Sequence, residues 1–414
     1  MQHNHLLPAS TLLGAIARRH GTPSGNGTVE GPIGFDLESA DVAAEDLPPP
    51  DIVTDGLADT LDRLPADEIA DPVTFARARD LLLKQTTRTL TKVRQSGSKA
   101  VFTPKELSSM EAVIKLDGTR PSLMLRDGEV PANHPFLGTW KDEVKGASYA
   151  IARTAASVGR IEPKRGGPAN YFGTGFVIDH GRGLVLTNRH VLEAMWRRLR
   201  DVIDLKNGRF TFLDGAYIDF VGEVGSMRRN RFKVVEAMAV GPDATGNERL
   251  DAAVLKIRPL TTDEAKAEQQ VVGDVPRAVP LSNELDGPLG HLTSFCVIGF
   301  PGTIPPPAER QGTEGKVDWQ WVAYELMGGR HGVKRVAPGI VHKPLGSLED
   351  DPKQWCFGHD ATTLGGNSGS PVLAWKESGE PAFGLHFAGA TIQTNYAHAY
   401  GPIHDEVLKT VATL

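Results

Sequence analysis

Ser368 stands in the run Leu364-Gly365-Gly366-Asn367-Ser368-Gly369-Ser370-Pro371-Val372, with glycines on both sides and an apolar segment after it. Glycine removes Cβ atoms, so such a stretch can turn sharply and let backbone N–H groups converge on one point. A hydroxyl lifted from that turn has what acyl transfer needs: an exposed nucleophile and a place for the developing oxyanion. A Gly/Ser surface loop has the same composition, so residues elsewhere must decide. His190 ends Leu184-Val185-Leu186-Thr187-Asn188-Arg189-His190, a short apolar strand that runs into a histidine ahead of the helical Leu-Glu-Ala-Met-Trp. Imidazole, with an unperturbed pKa of about 6.5, is the natural general base near neutrality. Asp251 heads the apolar strand Ala252-Ala253-Val254-Leu255-Lys256-Ile257. A carboxylate there is expected to be buried and to need a partner. An imidazole N–H is one, and that pairing fixes the tautomer whose other nitrogen accepts a proton.

These residues need elements that bring them together. From Ala147 onward, short apolar runs separated by Gly, Pro, Asn or Asp dominate. Tyr149 to Ile161, Phe172 to Ile178, Leu184 to Thr187, Tyr217 to Val221, Phe232 to Val240 and Ala252 to Ile257 read as strands. A second set is Ser294 to Gly299, Trp319 to Leu326, Pro338 to Val341, Pro371 to Ala374, Ala382 to Phe387 and Ala399 to Pro402. The two groups, joined by the polar segment Thr261 to Asp274, predict two antiparallel barrels, over 147–260 and 275–414.

The N-terminal third reads differently. Residues 1–50 read as a disordered or linker N-terminus, Gly-, Pro- and acid-rich from Gly21 onward and ending in Pro48-Pro49-Pro50. Residues 51–146 form an α+β segment. Helical spacing covers Gly56 to Leu64 and Phe75 to Val93, and Thr103-Pro104-Lys105-Glu106 is a helix start. Pro121 to Leu125 reads as a strand that turns at Asp127-Gly128. No nucleophile, base or ligand set clusters there, so a regulatory, docking or packing role is expected.

Composition narrows the function classes. The 414 residues are 40% apolar and 23% charged, and the net charge of −6 gives no reason to expect nucleic acid as a partner. The basic cluster Arg228, Arg229, Arg231 and Lys233 reads as a solvated loop. Only Cys296 and Cys356 occur, without a disulfide framework or zinc spacing, so reduced thiols are expected. His180, His291, His331, His342 and His359 lack metal spacing, and no metal or cofactor is expected. No apolar run is long enough to span a membrane. Leu6 to Ala17 is mildly apolar, but Arg18 and Arg19 follow it instead of preceding it, which argues against a secretory signal and for a cytoplasmic protein.

His190, Asp251 and Ser368, in this order and in these contexts, resemble the trypsin/chymotrypsin-like serine peptidases over Tyr171 to Gly401. The resemblance implies a mostly-β, chymotrypsin-like fold of two six-stranded antiparallel barrels, here with a small N-terminal α+β extension. It makes Ser368 the nucleophile, His190 the general base and later acid, and Asp251 the residue that orients His190. The N–H groups of Gly366 and Ser368 would form the oxyanion hole, and a protein or peptide would be the substrate. A closer resemblance is to the V8-like glutamyl endopeptidases. Thr362-Thr363 precedes the glycine loop, and Gly384-Leu385-His386-Phe387-Ala388-Gly389 looks like their Gly-x-His-aromatic-x-Gly strand. That implies a pocket in which Thr363 and His386 receive an acidic side chain, with Phe387, Ala388 and Gly389 on its wall.

The chain also departs from these patterns. In that branch the mature N-terminus helps bind the acidic group, and here the extension before Ala147 leaves it no counterpart. Asn367 stands where trypsin-type zymogens carry an aspartate that pairs with a newly cut N-terminus. Activation of that type is therefore not expected, and control falls to residues 1–146, to the loop Gly302 to Pro338, or to a regulatory protein partner. A bacterial, conditional protease acting on a partner fits this reading. The alternative from another class is a silent, protease-like binding or scaffold module, and an esterase with the same triad would lack the alternating helices of its usual fold.

Overall fold

The computed structural model describes residue 16 and residues 48–96, 100–242, 249–283, 290, 293–302, 317–374, 381–390 and 394–414. Most of the linker expected over 1–50, all but residues 16 and 48–50, and much of the loop Gly302 to Pro338 lie outside the described residues. Three helices come first: α1 (Pro50–Asp62), α2 (Pro72–Ser96) and α3 (Pro104–Leu116). Leu57, Leu61, Leu82 and Leu90 are buried, as one-sided helical spacing requires. Thr103 caps α3: its Oγ1 accepts from Glu106 N–H at 3.3 Å, and Glu106 Oε2 accepts from Thr103 N–H at 2.7 Å. The short strand β1 (Leu123–Met124) follows. Next comes a turn whose Asp127 and Gly128 both have positive φ, 49° and 83°. Two short helices, α4 (Lys141–Gly146) and α5 (Ser148–Ala155), complete this region. The strand expected from Tyr149 is thus corrected in its first half. Ala150, Ile151, Thr154 and Ala155 are its buried positions, a helical face, and alanines favour that state.

The first barrel is built from β2 (Val158–Pro163), β3 (Gly173–Asp179), β4 (Leu184–Thr187), β7 (Ala216–Asp219), β8 (Arg231–Ala239) and β9 (Ala253–Arg258). Helix α6 (Arg189–Leu199) and the hairpin β5 (Ile203–Lys206) and β6 (Arg209–Phe212) are inserted after β4. The order β8-β7-β2-β3-β4-β9 returns to β8 by the β8–β9 pairing and so closes six strands, while β5 and β6 hang on β8 outside the ring. Ile161, Val177, Val185, Ile218, Phe232 and Leu255 fill its interior. Closure leaves the six-stranded ring itself without an unpaired edge. Helix α7 (Thr262–Ala267) then leads towards the second barrel.

That barrel comprises β10 (Ser294–Gly299), β11 (Arg335–Lys343), β12 (Cys356–His359), β13 (Pro371–Leu373), β14 (Ala382–Ala390) and β15 (Thr394–Ala399), with α8 (Trp319–Leu326) after β10 and α9 (Tyr400–Thr413) at the end. The ring β11-β10-β13-β14-β15-β12 closes on the β11–β12 pairing, and β1 adds to β11 from outside, with Leu123 opposite Val336. Two expected strands are corrected here. Trp319–Leu326 is a helix because the Asp318 carboxylate caps it, accepting from Gln320 and Trp321 N–H groups at 3.0 Å each. Ala399 ends β15, and Tyr400 to Pro402 open α9, where a proline in the first turn forfeits no helical hydrogen bond. The architecture is mostly β, two closed six-stranded antiparallel barrels with an N-terminal region that is chiefly helical.

Candidate active site

Strand β4 carries His190 to the edge of the first barrel. Thr187 pairs with Ala253 at the start of β9, so the residues just after β4 face those just before β9. Asp251 uses both oxygens on His190: Oδ1 accepts the backbone N–H at 2.9 Å and Oδ2 accepts from Nδ1 at 2.6 Å. Asn188 Nδ2 donates to the Asp251 carbonyl at 2.8 Å, fixing the backbone on the other side. A carboxylate accepts only, so Nδ1 carries the proton and Nε2 is left as the basic nitrogen. Burial pushes the Asp251 carboxyl up, but the hydrogen bonds from His190 and the field of its ring outweigh this and hold it below the usual range.

Ser368 arrives from the second barrel. Its loop is held by β3: Thr174 N–H donates to the Ser368 carbonyl at 2.8 Å, and Thr174 Oγ1 donates to the Gly366 carbonyl at 2.9 Å. Gly173 makes the approach close, since a Cβ there would lie 2.7 Å from Val191 Cγ2 and 3.1 Å from the Ser368 carbonyl oxygen. The residue after His190 and the Ser368 backbone thus flank a single glycine. Gly366 and Gly369 adopt φ of +95° and +89°, which side chains rarely tolerate. Gly369 N–H then donates to the His386 carbonyl at 2.9 Å and returns the chain to β13. His190 and Asp251 are therefore in direct contact, and the Ser368 loop packs on β3 beside Val191, the residue after His190. Among the described residues no hydrogen bond joins Ser368 Oγ to His190, and the N–H groups of Gly366 and Ser368 have no protein acceptor.

The expected pocket residues divide among four environments. Thr363 lines a cavity with Glu111, Lys115, Arg120, Thr394 and Asn395. Gly389 faces it, since a Cβ there would sit 3.9 Å from Thr363 Oγ1. Phe387 instead lines the cleft that contains His190 and Asp251, a space of about 380 Å³. His386 is buried, its Nδ1 3.3 Å from His359 Nε2, and burial first, then the nearby His190, pushes its pKa down to about 3. Ala388 stands opposite Tyr396 in the β14–β15 pair.

Likeness to solved structures is loose. An inactive, mutant form of the M. tuberculosis protein Rv3671c is 17% identical, over 64% of this chain and 90% of that one, with a TM-score of 0.34. Residues 173–380 match the family model of the trypsin-like peptidase domain. A probable serine protease of Lysobacter enzymogenes is 40% identical over 340 residues, which are 81% of this chain and 83% of that protein. The chain belongs to the trypsin-like peptidases. The peptidase is a hydrolase that acts on protein or peptide substrates, and among its described residues no helix is long and apolar enough to cross a membrane.

Two parts of the peptidase's site gave no sequence signal. His398 on β15 accepts the Asp251 N–H through Nε2 at 3.3 Å, stacks on Phe387 with centroids 4.2 Å apart, and places Nδ1 3.4 Å from Cys356 Sγ. Because Nε2 accepts, Nδ1 holds the proton and points it at the sulfur. Burial pushes the His398 pKa down to about 4, which keeps the ring neutral in that role. The second part is the contribution of Glu111, Lys115 and Arg120 to the Thr363 cavity. A histidine in a polar strand and charges on and just after a remote helix look like ordinary surface residues until the chain is folded.

Proposed function

We propose that this peptidase is a serine endopeptidase working through Ser368, His190 and Asp251. The observation that carries the reading is the two-oxygen grip of Asp251 on His190, made at the seam where Thr174 holds the Ser368 loop. Ser368 Oγ attacks the scissile carbonyl as His190 Nε2 takes its proton. The carbonyl oxygen becomes an oxyanion, and the N–H groups of Gly366 and Ser368 receive it. His190 then protonates the leaving amine, and water, activated by the same nitrogen, releases the acyl group. Such hydrogen bonds often tighten only with substrate bound, so a resting Ser368 without a bond to His190 fits this scheme.

The V8-like preference for an acidic residue before the cut is part of the proposal. Thr363 offers a hydroxyl, and Lys115 lines the same cavity 3.4 Å from Glu111, while Arg120 there is engaged by Asp360. His386, neutral and turned towards His359, supports the strand instead of supplying charge. Labelling with a fluorophosphonate probe tests the nucleophile: the expected result is a label on Ser368 that Ser368→Ala abolishes. A label that persists in that variant, or none on active preparations, would defeat the reading. Cleavage of a peptide library tests the pocket, with Glu or Asp expected before the cut and a loss of that bias in Thr363→Val. A bias towards Lys or Arg would remove the acidic preference and leave the triad standing.

A further inference from the structure

Asp360 to Leu364 lead from β12 into the glycine loop and carry Thr363. This wall is held from outside both barrels. Thr362 Oγ1 donates to the Arg120 carbonyl at 2.7 Å, and Arg120 Nε lies 3.3 Å from Asp360 Oδ2, with both side chains largely buried. The other oxygen of Asp360 accepts the Ile340 N–H of β11 at 2.7 Å, so one carboxylate joins the barrel to the N-terminal region. Arg120 is itself anchored. Its N–H donates to the Ile114 carbonyl of α3 at 2.9 Å, and Arg335 Nη1 donates to the Ser122 carbonyl at 3.0 Å. Leu123 and Met124 then pair with β11.

The placement of this region bears on how it acts. Among the described residues, none before Arg189 lines the cleft that holds His190, whereas Glu111, Lys115 and Arg120 line the cavity beside Thr363. The region braces the pocket and leaves the cleft open. A brace is also what the loop needs, because Asn367 carries no charge to pair with a chain terminus. A buried ion pair supplemented by a side chain-to-backbone bond is directional, and removing one partner strands the other.

We propose that Arg120 is a positioning residue for the substrate-pocket wall, tying Asp360 and Thr362 to the N-terminal region so that this region sustains activity instead of blocking it. The inference rests on the triad reading above. Its test uses the full chain with Arg120→Ala, Arg120→Lys and Thr362→Val, following kcat and KM on a peptide, the rate of fluorophosphonate labelling, the pH profile and Tm. Arg120→Ala is expected to lower kcat/KM about tenfold or more, and Thr362→Val several-fold. Arg120→Lys should recover part of the loss, and labelling should slow in step. The acidic limb of the pH profile should stay in place, because His190 and Asp251 are untouched. Folded Arg120→Ala and Thr362→Val proteins with wild-type kcat/KM would overturn the proposal, as would a lysine variant as slow as the alanine one. Should Arg120→Ala fail to fold, the near-isosteric Thr362→Val decides alone: wild-type activity overturns the proposal, and a loss without a fall in Tm supports it. Absence of any Ser368 label on the wild-type chain would instead strike the triad reading, and this inference with it.

Discussion

The two barrels hold their halves of the site by different means. In the first, His190 and Asp251 are gripped by side-chain hydrogen bonds over a short span, from the end of one strand to the start of its neighbour. In the second, Ser368 is placed by backbone: glycines in the left-handed region, Thr174 reaching across from β3, and a wall braced by Arg120. The difference teaches where each half is vulnerable. The proposed base is a local device that one substitution can disable without disturbing the fold. The loop proposed to carry the nucleophile is a distributed device, and remote residues should be able to impair it.

The largest effects break the comparison at its centre. Ser368→Ala should lower kcat by about 10⁶-fold, and Asp251→Asn by about 10⁴-fold. The asparagine amide would donate to His190 Nδ1, force the proton onto Nε2 and remove the base. Steady-state kinetics on a peptide substrate check both, and Tm should change little for Ser368→Ala. A Ser368→Ala protein that retains more than a trace of activity would place the nucleophile elsewhere.

A smaller effect tests whether the local device is as local as it looks. His398 belongs to the second barrel yet accepts the Asp251 N–H. His398→Ala would leave that buried donor without a partner, at a cost of about 1–3 kcal/mol. We expect kcat to fall about tenfold as Asp251 loosens, with part of the loss recovered by His398→Gln, which can still accept. Wild-type kcat in the alanine variant would show that the first barrel positions its aspartate unaided.

How far the sequence discloses this arrangement follows from the same contrast. The strands of the first barrel are legible because β3, β4 and β9 are apolar runs bounded by glycine or polar residues. Ser368, His190 and Asp251 stand out because each sits at the junction of such a run. The misreadings come from short apolar stretches whose period is ambiguous. Trp319–Leu326 looks like a strand until Asp318 caps it, and Tyr149 to Ala155 until its alanines pack as a helix. Strands β12 and β15 escape notice because their buried residues include His359 and His398, polar groups buried only because the fold pairs them with other rings and backbone. The Arg120–Asp360 pair has no local signature, since its members are far apart in the chain and each alone reads as a surface charge.

Those buried histidines give the comparison its smallest and most selective test. His359, His386 and His398 all belong to the second barrel, and burial pushes each pKa down, to about 3 for His386 and about 4 for His398. The unfolded chain binds a proton at each site near pH 6.5, whereas the folded protein resists until the pH is far lower. Stability from these rings is therefore complete above about pH 6.5 and is lost as the pH falls towards the folded-state values, by up to about 1.4 kcal/mol per pH unit for each ring. The carboxyl of Asp251, held low by His190, adds its own loss only below about pH 4. Tm measured from pH 7.5 to 5 should thus fall chiefly through the second barrel. His398→Gln, which cannot be protonated, should flatten the slope by one ring's share without removing it. An unchanged slope would mean that His398 is not held neutral, and an acceptor role towards Asp251 would then be lost with it.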